Sequence, residues 1–489
     1  MKVPRYATRF APRSHRKYAI FSVHGNGRTD KYGLVDTVHK AMNSLRCGSL
    51  ELQDALVVLA SRQYASWLQD TEFMKALVDP FQGHWTHKSN PCPEINVLAA
   101  AVDSLHPLHA MGDTPHGFSF FYGPMRKIMP TLWQDDGQPK PLQASKLQAA
   151  ITFQFGHRPF DFTLPLANTI FQNGLQSTLL ASRWHRPTKR SSLELLQIKE
   201  KQSQDVNYYA AHRSPGLSFC VDSPIVPITI PRKILAGLGN IVRQIEVDDR
   251  ETPASAELET AVNELYARRT KEGHEFPPGP VGVWAVIVPP GRFQTRDLSL
   301  LRKWTGEPSR IQTAYDEWGE ALAFKHLVRR LLQHGSRVYK ILSGGGGWGK
   351  KQGLLSLDPE TSYSASSEEK DLESFIRSFE NRHDGIDQQD VVSPGSYIQY
   401  FVSPPMSARP NPPRPHGATL SFALGASGNA TSEEPPSTDD SSDWKLVPEH
   451  FGAVSNHGLF VKHEIGRLVS ESKLDVPGSW AGCLKLRNP

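Results

Sequence analysis

The chain has 489 residues, which is long enough for two or three domains with hydrophobic cores of their own. Hydrophobic residues make up 38% and charged residues 21% of it, a balance typical of a soluble globular protein. No run approaches the roughly 18–20 apolar residues of a membrane-spanning helix. The net charge of +5 is too small to indicate nucleic-acid binding on its own. The four cysteines form no C-x-x-C pair, so the sequence indicates neither a zinc ribbon nor a disulfide framework.

The first 29 residues are basic, and the first acidic residue is Asp30. An arginine-rich start without acidic residues is typical of a mitochondrial transit peptide, so residues 1–30 are predicted to be a presequence-like segment and the protein to be mitochondrial, in the matrix. Pro4 and Pro12 interrupt the amphipathic helix that such a peptide should form. The alternatives are an ordinary basic tail on a cytoplasmic protein and a basic arm that touches RNA.

From residue 31 to residue 116, apolar residues recur at helical spacing, which predicts a helical region. The residues of the predicted apolar stripes are Leu34, Val38, Ala41, Leu45, Leu52, Leu56, Leu59, Ala60, Phe73, Leu77, Val78, Ile95, Leu98, Ala99 and Val102.

Histidines and one cysteine cluster within this region, as a candidate zinc site. The candidate ligands are His84, His87, Cys92, His106 and His109. Their spacing matches no standard zinc finger, and Pro91, Pro93 and Pro107 place them in irregular loops. The alternative is that they are unrelated surface or capping histidines.

Residues 117–403 read as short β-strands with interspersed helices. Phe118–Tyr122 and Ile151–Phe155 are typical strand segments, and Thr252 and Pro253 are a favoured pair for starting a helix. Residues 404–443 are rich in proline and polar residues and are predicted to be a disordered linker, interrupted by a short apolar island, Ala418–Leu424. Residues 444–489 are predicted to be a C-terminal β segment. The predicted fold class is α+β, with a helical N-terminal region followed by a larger mixed, mainly antiparallel β region.

A glycine-rich loop follows a predicted strand, Val338–Leu342, which itself follows a helix stop at Gly335. The loop residues are Gly344, Gly345, Gly346, Gly347, Trp348, Gly349, Lys350 and Lys351. The loop is either a plain connection or an anion nest that binds a phosphate of RNA or of a ligand. A Walker A loop is disfavoured, because Lys351 stands where Ser or Thr would hold magnesium and no helix follows.

A second basic segment interleaves an aromatic residue with cations, a combination that can stack on bases and hold phosphates. Its candidate RNA-binding residues are Arg183, Trp184, Arg186, Lys189 and Arg190. A solvated basic loop followed by a helix, Leu193–Lys199, is the alternative.

Several segments together resemble a family of filamentous-fungal proteins that are predicted to be mitochondrial. These segments are TLPLANTIFQNG and STLLASRW between residues 163 and 184, PRKILAGLGNIVRQ from Pro231, SGGGGWGKKQGLLSLDPE from Ser343, and PGSYIQYF from Pro394. Some members carry a label that relates them to a V-type ATPase c subunit, a membrane proteolipid. That label is not carried over, because no segment here could span a membrane. The resemblance implies a compartment and no particular reaction.

No hydrolase, metalloprotease or kinase motif occurs in the sequence, and no cofactor is predicted. The first hypothesis is a non-enzymatic mitochondrial factor that supports organelle gene expression or respiratory-complex assembly through contact with RNA or the ribosome. The second is a protein or enzyme that binds a phosphorylated ligand through the glycine loop.

Overall fold

The structure is a computed structural model. It describes residues 18–25, 30–44, 52–82, 94–108, 114–134, 148–156, 159–188, 191–209, 217–271, 282–290, 321, 327–344, 353–363, 392–404, 418–427, 444–465 and 468–486. The helices of these ranges are α1 Lys31–Ser44, a 3₁₀ helix Arg62–Gln69, α2 Thr71–Gln82, α3 Met125–Ile128, α4 Ile170–Asn173, α5 Ala254–Lys271 and α6 Leu327–Gln333.

Strands dominate the described part of the chain. In chain order they are β1 Ala19–Gly25, β2 Ala55–Ser61, β3 Ile95–Val102, β4 His116–Gly123, β5 Ala150–Gln154, β6 Phe160–Pro165, β7 Asn168–Thr169, β8 Leu175–Ser177, β9 Leu179–His185, β10 Glu194–Glu200, β11 Ser203–Asn207, β12 Leu217–Asp222, β13 Val226–Pro227, β14 Arg232–Leu238, β15 Ile241–Val247, β16 Arg250–Pro253, β17 Val283–Val288, β18 Arg337–Gly344, β19 Leu355–Leu357, β20 Tyr397–Val402, β21 Ala418–Ala426, β22 Lys445–Pro448, β23 Phe451–Ser455, β24 Leu459–Ile465, β25 Leu468–Leu474 and β26 Trp480–Leu486.

The first part of the chain builds a seven-stranded mixed sheet in the order β10-β9-β3-β2-β4-β1-β22. β2 and β3 are parallel, and β1 and β2 both run antiparallel to β4, so β1, β2 and β3 all point the same way. The helices α1 and α2 and the 3₁₀ helix bury their apolar residues against one face of this sheet. The other face packs into a second hydrophobic core that is shared with the remaining sheets.

The prediction of a helical N-terminal region, and with it the predicted α+β fold class, is wrong. Two of the predicted stripes do lie on the helices α1 and α2, but the residues of the other two, apart from Leu52, form β2 and β3. Every residue of these two strands is buried, since helices cover one face and other sheets the other. A strand buried on both faces is a continuous apolar run without period-2 alternation, and such a run also satisfies a helical spacing.

Three larger assemblies and the two-stranded sheet β7-β8 complete the described fold. A five-stranded sheet has the order β11-β5-β6-β24-β25, and a four-stranded sheet has the order β12-β26-β21-β23. The strands β20, β14, β15, β19, β18 and β17 form a ring that closes where β17 pairs with β20, which makes a six-stranded barrel. Apolar side chains and two tyrosines, Tyr339 and Tyr400, are buried in the core that the barrel forms with α5.

Two assignments predicted from the sequence agree with the structure, and two do not. Gly335 has φ +80 and ends α6, because the N–H of Ser336 bonds back to the carbonyl of Leu331, and β18 follows as predicted. The segment predicted as helix Leu193–Lys199 is instead β10. The range 404–443, predicted as a linker, contains β21, which lies inside the four-stranded sheet. No helix in the described ranges is long and apolar enough to cross a membrane.

Candidate functional site

The carboxyl ends of β1, β2 and β3 lie side by side at one end of the seven-stranded sheet, and β4 begins there. We call this end, where the strands terminate, the carboxyl edge of the sheet. In open sheets covered by helices, ligands bind in the crevice outside the carboxyl ends of the parallel strands. The polar side chains that the strands deliver to this edge are His24 from β1, Arg62 directly after β2, Asp103 directly after β3 and His116 at the start of β4.

Asp103 is the half-buried carboxyl group of this edge. Its Oδ2 accepts a hydrogen bond from the backbone N–H of Asn456 at 2.8 Å, in the turn between β23 and β24. Burial raises the pKa of Asp103, while that hydrogen bond and the positive charges of His457 and Arg62 act in the opposite direction. The charges of an arginine and an imidazole from different parts of the chain therefore both act on this carboxyl group.

Arg62 links this carboxyl group to a second imidazole. Burial lowers the pKa of His116, and the nearby charge of Arg62 lowers it further. His116 therefore favours its neutral form, in which one ring nitrogen donates and the other accepts. His116 is partly buried but, like His457, keeps exposed surface, so a molecule from solvent can reach both residues.

The backbone at the start of β4 is fixed by a close approach to β1. Gly117 has φ +145, and a Cβ atom there would lie 2.0 Å from the carbonyl oxygen of Val23. Its N–H donates to the Oγ atom of Ser61 at 2.9 Å, which ties β4 to the end of β2. Only glycine permits this approach, and it positions His116 next to the residue that precedes Arg62.

His24, which is half-buried, also belongs to a hydrogen-bonded group with the buried residues Ser22 and His450. The Oγ atom of Ser22 lies 3.0 Å from Nε2 of His24 and 2.8 Å from Nδ1 of His450. Burial lowers the pKa of His24 to about 4, and the charge of Lys445 contributes to the shift. The turn before His450 places Glu449 at φ 59, where its N–H donates to the carbonyl of Ile20. This group holds β1 against the start of β23.

His106 is the only residue of the predicted zinc set in the described ranges, and it lies in the core. Its Nδ1 atom donates to the carbonyl oxygen of Pro107 at 2.9 Å, and its ring lies edge-on to Trp480. Burial lowers its pKa to about 4. His84, His87, Cys92 and His109 lie outside the described residues. Within the described ranges, no three His, Cys, Asp or Glu side chains are grouped to hold a metal ion.

The predicted basic segment around Trp184 makes its contacts within the protein. The guanidinium of Arg183 stacks on Trp133 at 4.6 Å and pairs with Glu94 at 3.5 Å. The ring of Trp184 is 2% exposed. Its Nε1 donates to Ser182, so the buried ring presents no face for a base.

The remaining residues predicted to contact RNA or phosphate are placed only in part. Arg186 pairs with Asp79. Lys189 and Arg190 lie outside the described residues. Gly344 ends β18 and pairs with Leu355, whereas Gly345, Gly346, Gly347, Trp348, Gly349, Lys350 and Lys351 lie outside the described residues.

Sequence reasoning missed Arg62, Asp103, His116 and His457 as a group. Arg62 directly follows the largely apolar run 55–61, and Asp103 directly follows the largely apolar run 95–102. If these runs had been interpreted as parallel strands, the polar residues at their carboxyl ends would have been expected at one edge. His457 carries no such signal, because it reaches the edge from more than 300 residues further along the chain.

Comparisons with protein-family models, with curated proteins and with solved structures each find no match for this chain.

Proposed function

We propose that the carboxyl edge of the seven-stranded sheet binds a small ligand that carries an anionic group. The observation that supports this most directly is geometric: the registers of β2 with β3 and with β4 place Arg62 between Asp103 and His116 at the ends of neighbouring strands, and the N–H of Asn456 bonds to Asp103, which brings the adjacent His457 to the same place. A cation, two imidazoles and a carboxyl group thus converge where three strands end, and a small ligand can bind to such a group of polar side chains.

Each side chain has a definite role in the proposal. The guanidinium of Arg62 pairs with a carboxylate or phosphate of the ligand, a geometry for which its planar donors are suited. The imidazoles of His116 and His457 are exposed and add a donor or an acceptor on either side. The carboxylate of Asp103 repels the anionic end of the ligand and accepts hydrogen bonds from hydroxyl or N–H groups elsewhere on the ligand. Asp103 therefore orients the ligand so that the ligand's anionic end points away from the carboxylate.

Thermal unfolding of the purified protein in the presence of different anions tests this function. The probes are orthophosphate, pyrophosphate, succinate, citrate, AMP and ATP, with sodium chloride at equal ionic strength as the reference. A probe at about 100 times its Kd adds about 2.7 kcal/mol to the free energy of unfolding. We expect at least one probe to raise Tm in the wild type and to lose most of that effect in Arg62→Gln.

Lys462→Gln is the matched control, because Lys462 is a half-exposed cation that pairs with Glu464 at 3.0 Å on a different sheet. This variant should keep the wild-type shift in Tm. The proposal is contradicted if no probe stabilises the protein beyond sodium chloride, or if Arg62→Gln and the wild type respond equally.

Mitochondrial location and contact with RNA or the ribosome remain separate proposals. They are supported by the basic residues 1–29 and by the resemblance described above, and neither of them depends on the anion site.

A further inference from the structure

A short hairpin lies at the carboxyl edge of the sheet, next to the candidate site. It consists of β7, α4 and β8 and is attached where β3 ends. There the N–H of Ala167 donates to the carbonyl of Ala101 at 3.0 Å, and the N–H of Ala101 donates to the carbonyl of Thr178 at 3.0 Å. Asp103 follows two residues after Ala101. The hairpin therefore begins and ends beside the strand that delivers Asp103.

The tip of this hairpin, α4, reaches the 3₁₀ helix that begins with Arg62. α4 packs against this helix, and the Nδ2 atom of Asn173 donates to the carbonyl oxygen of Ala65 at 3.5 Å. Ala65 comes three residues after Arg62, which is one turn of a 3₁₀ helix and about 6 Å along its axis. α4 thus contacts the helix about one turn away from the cation of the candidate site.

The tip and His116 lie on the same side of the sheet. The 3₁₀ helix, against which α4 packs, buries Tyr64 and Leu68 in the core on the helix-covered face. Phe118 belongs to the same core. His116 precedes Phe118 by two residues on β4, and residues two apart on a strand point to the same face. The apolar tip and the ionisable groups therefore share one side of the carboxyl edge.

The hairpin turns its polar side chains inward and its apolar side chains outward. Thr169 and Thr178 are fully buried, and their hydroxyl oxygens lie 2.8 Å apart. The Nδ2 atom of Asn173 donates to the hydroxyl of Thr178 at 2.8 Å. By contrast, Phe171 is 96% exposed and Ile170 is 47% exposed. These hydrogen bonds fix the tip, which presents two neighbouring apolar side chains to solvent at a defined place.

Apolar surface next to a cation suits a ligand that is itself both apolar and charged. An inorganic anion would use Arg62 and leave Phe171 in water. A ligand with an apolar chain would cover Phe171 and Ile170 while its charged group stays at Arg62. Removing these apolar surfaces from water adds to the free energy of binding.

We infer that the ligand of the proposed anion site is an amphipathic acid, whose carboxylate or phosphate binds Arg62 and whose apolar chain lies on Ile170 and Phe171. This inference rests on the proposed function and adds the chemical class of the ligand to it.

Two series of anions with growing chains test the inference. They are acetate, butyrate and hexanoate, and methyl, butyl and hexyl phosphate, each titrated by isothermal calorimetry at constant ionic strength and below its critical micelle concentration. Complete burial of a CH₂ group lowers Kd about fourfold, and a chain covered on one side should gain about twofold per CH₂. This amounts to about sixteenfold from acetate to hexanoate. The series that binds more tightly identifies the head group.

Phe171→Ser removes apolar surface without changing the charged groups. Its side chain is 96% exposed, so the fold should be unaffected. The variant should bind acetate and methyl phosphate like the wild type and lose most of the dependence on chain length. Leu238→Ser is the matched control, because Leu238 is 54% exposed on the β14–β15 hairpin, and it should behave like the wild type. The inference is overturned if chain length does not affect Kd in the wild type, or if Phe171→Ser keeps the full effect.

Arg62→Gln separates a failure of this inference from a failure of the anion site. We expect it to weaken every member of a series by the same factor, whereas Phe171→Ser acts only on the longer members. If Arg62→Gln changes no Kd, both the anion site and this inference are wrong. If Arg62→Gln weakens acetate or methyl phosphate but chain length has no effect, the anion site stands and this inference alone is wrong.

Methyl NMR of ¹³C-labelled isoleucine locates the chain directly. The signal of Ile170 is assigned from the variant Ile170→Val, and hexyl phosphate should move it further than methyl phosphate does. Equal movement by the two probes would contradict the placement of the chain. Phosphatidylglycerol vesicles test a membrane surface as the partner of the tip. Vesicle binding that needs Phe171, with the Kd of hexanoate and hexyl phosphate unchanged in Phe171→Ser, would overturn the inference.

Discussion

At the scale of single residues, burial divides the histidines into a neutral core set and an accessible edge set. His106 is buried, and its pKa is lowered to about 4, while an unfolded chain has an ordinary histidine pKa near 6.5. Between these two values the unfolded state binds the proton and the folded state does not. Stability therefore rises with pH through this window and is lost as the pH falls from about 6.5 towards 4.

Replacing His106 isolates its share of the pH dependence. A shift of this size corresponds to about 3 kcal/mol between the two pH limits. His106→Leu lacks the titrating group. Between pH 7 and pH 4, its free energy of unfolding should therefore fall by about 3 kcal/mol less than that of the wild type. Urea unfolding at a series of pH values measures both curves. Because Asp103 titrates in both proteins, its opposite contribution cancels in the difference. Parallel curves for the two proteins would contradict the prediction.

At the scale of elements, the start of β4 depends on its contact with β1. Gly117→Ala would force a Cβ atom to within 2.0 Å of the Val23 carbonyl oxygen, so the two strands must separate at the candidate site. Overpacking of this kind costs about 1–3 kcal/mol, and the loss should be accompanied by weaker anion binding, because His116 shifts with the strand.

Gly174→Ala is the matched control for this change. Gly174 also has a positive φ, of +79, but no atom lies within 4 Å of the position that its Cβ would occupy. It should lose only the roughly 1 kcal/mol expected for placing an L-residue in this region, with anion binding unchanged. Chemical denaturation and anion titration of the two variants measure both effects. The account of the β1–β4 contact is wrong if Gly117→Ala is no less stable than Gly174→Ala.

The same elements show what the sequence could reveal. The stripes of α1 and α2 have one apolar face each, so periodicity identifies these helices. The strands β2 and β3 are apolar on both faces, and periodicity alone cannot distinguish such a run from a buried helix. Because the segments of β2 and β3 are predicted as helices, the sequence does not predict two parallel strands, nor that Arg62 and Asp103 lie at their common end. The glycine stop at Gly335 was recognisable, because its left-handed conformation is a local requirement.

At the scale of the whole molecule, sheets that are distant in sequence share one core and assemble one edge. β23 crosses behind the seven-stranded sheet, where the hydroxyl of Ser119 donates to the carbonyl of Gly452 at 3.0 Å. The same crossing brings Asn456 and His457 to Asp103. The candidate site therefore exists only in the complete fold, and no local stretch of sequence contains it.

The central claim is that an anion binds at this edge, and NMR of the histidine side chains tests it most directly. The protein is labelled with ¹⁵N-histidine and titrated with the anion that raises Tm most. The signals of His116 and His457 are assigned from the variants His116→Gln and His457→Gln. Both signals should move with one common Kd, and Arg62→Gln should abolish the movement. The signal of His334, which directly follows α6 and is not part of the candidate site, should stay in place. The claim is contradicted if the His116 and His457 signals stay still at saturation, or move equally in Arg62→Gln.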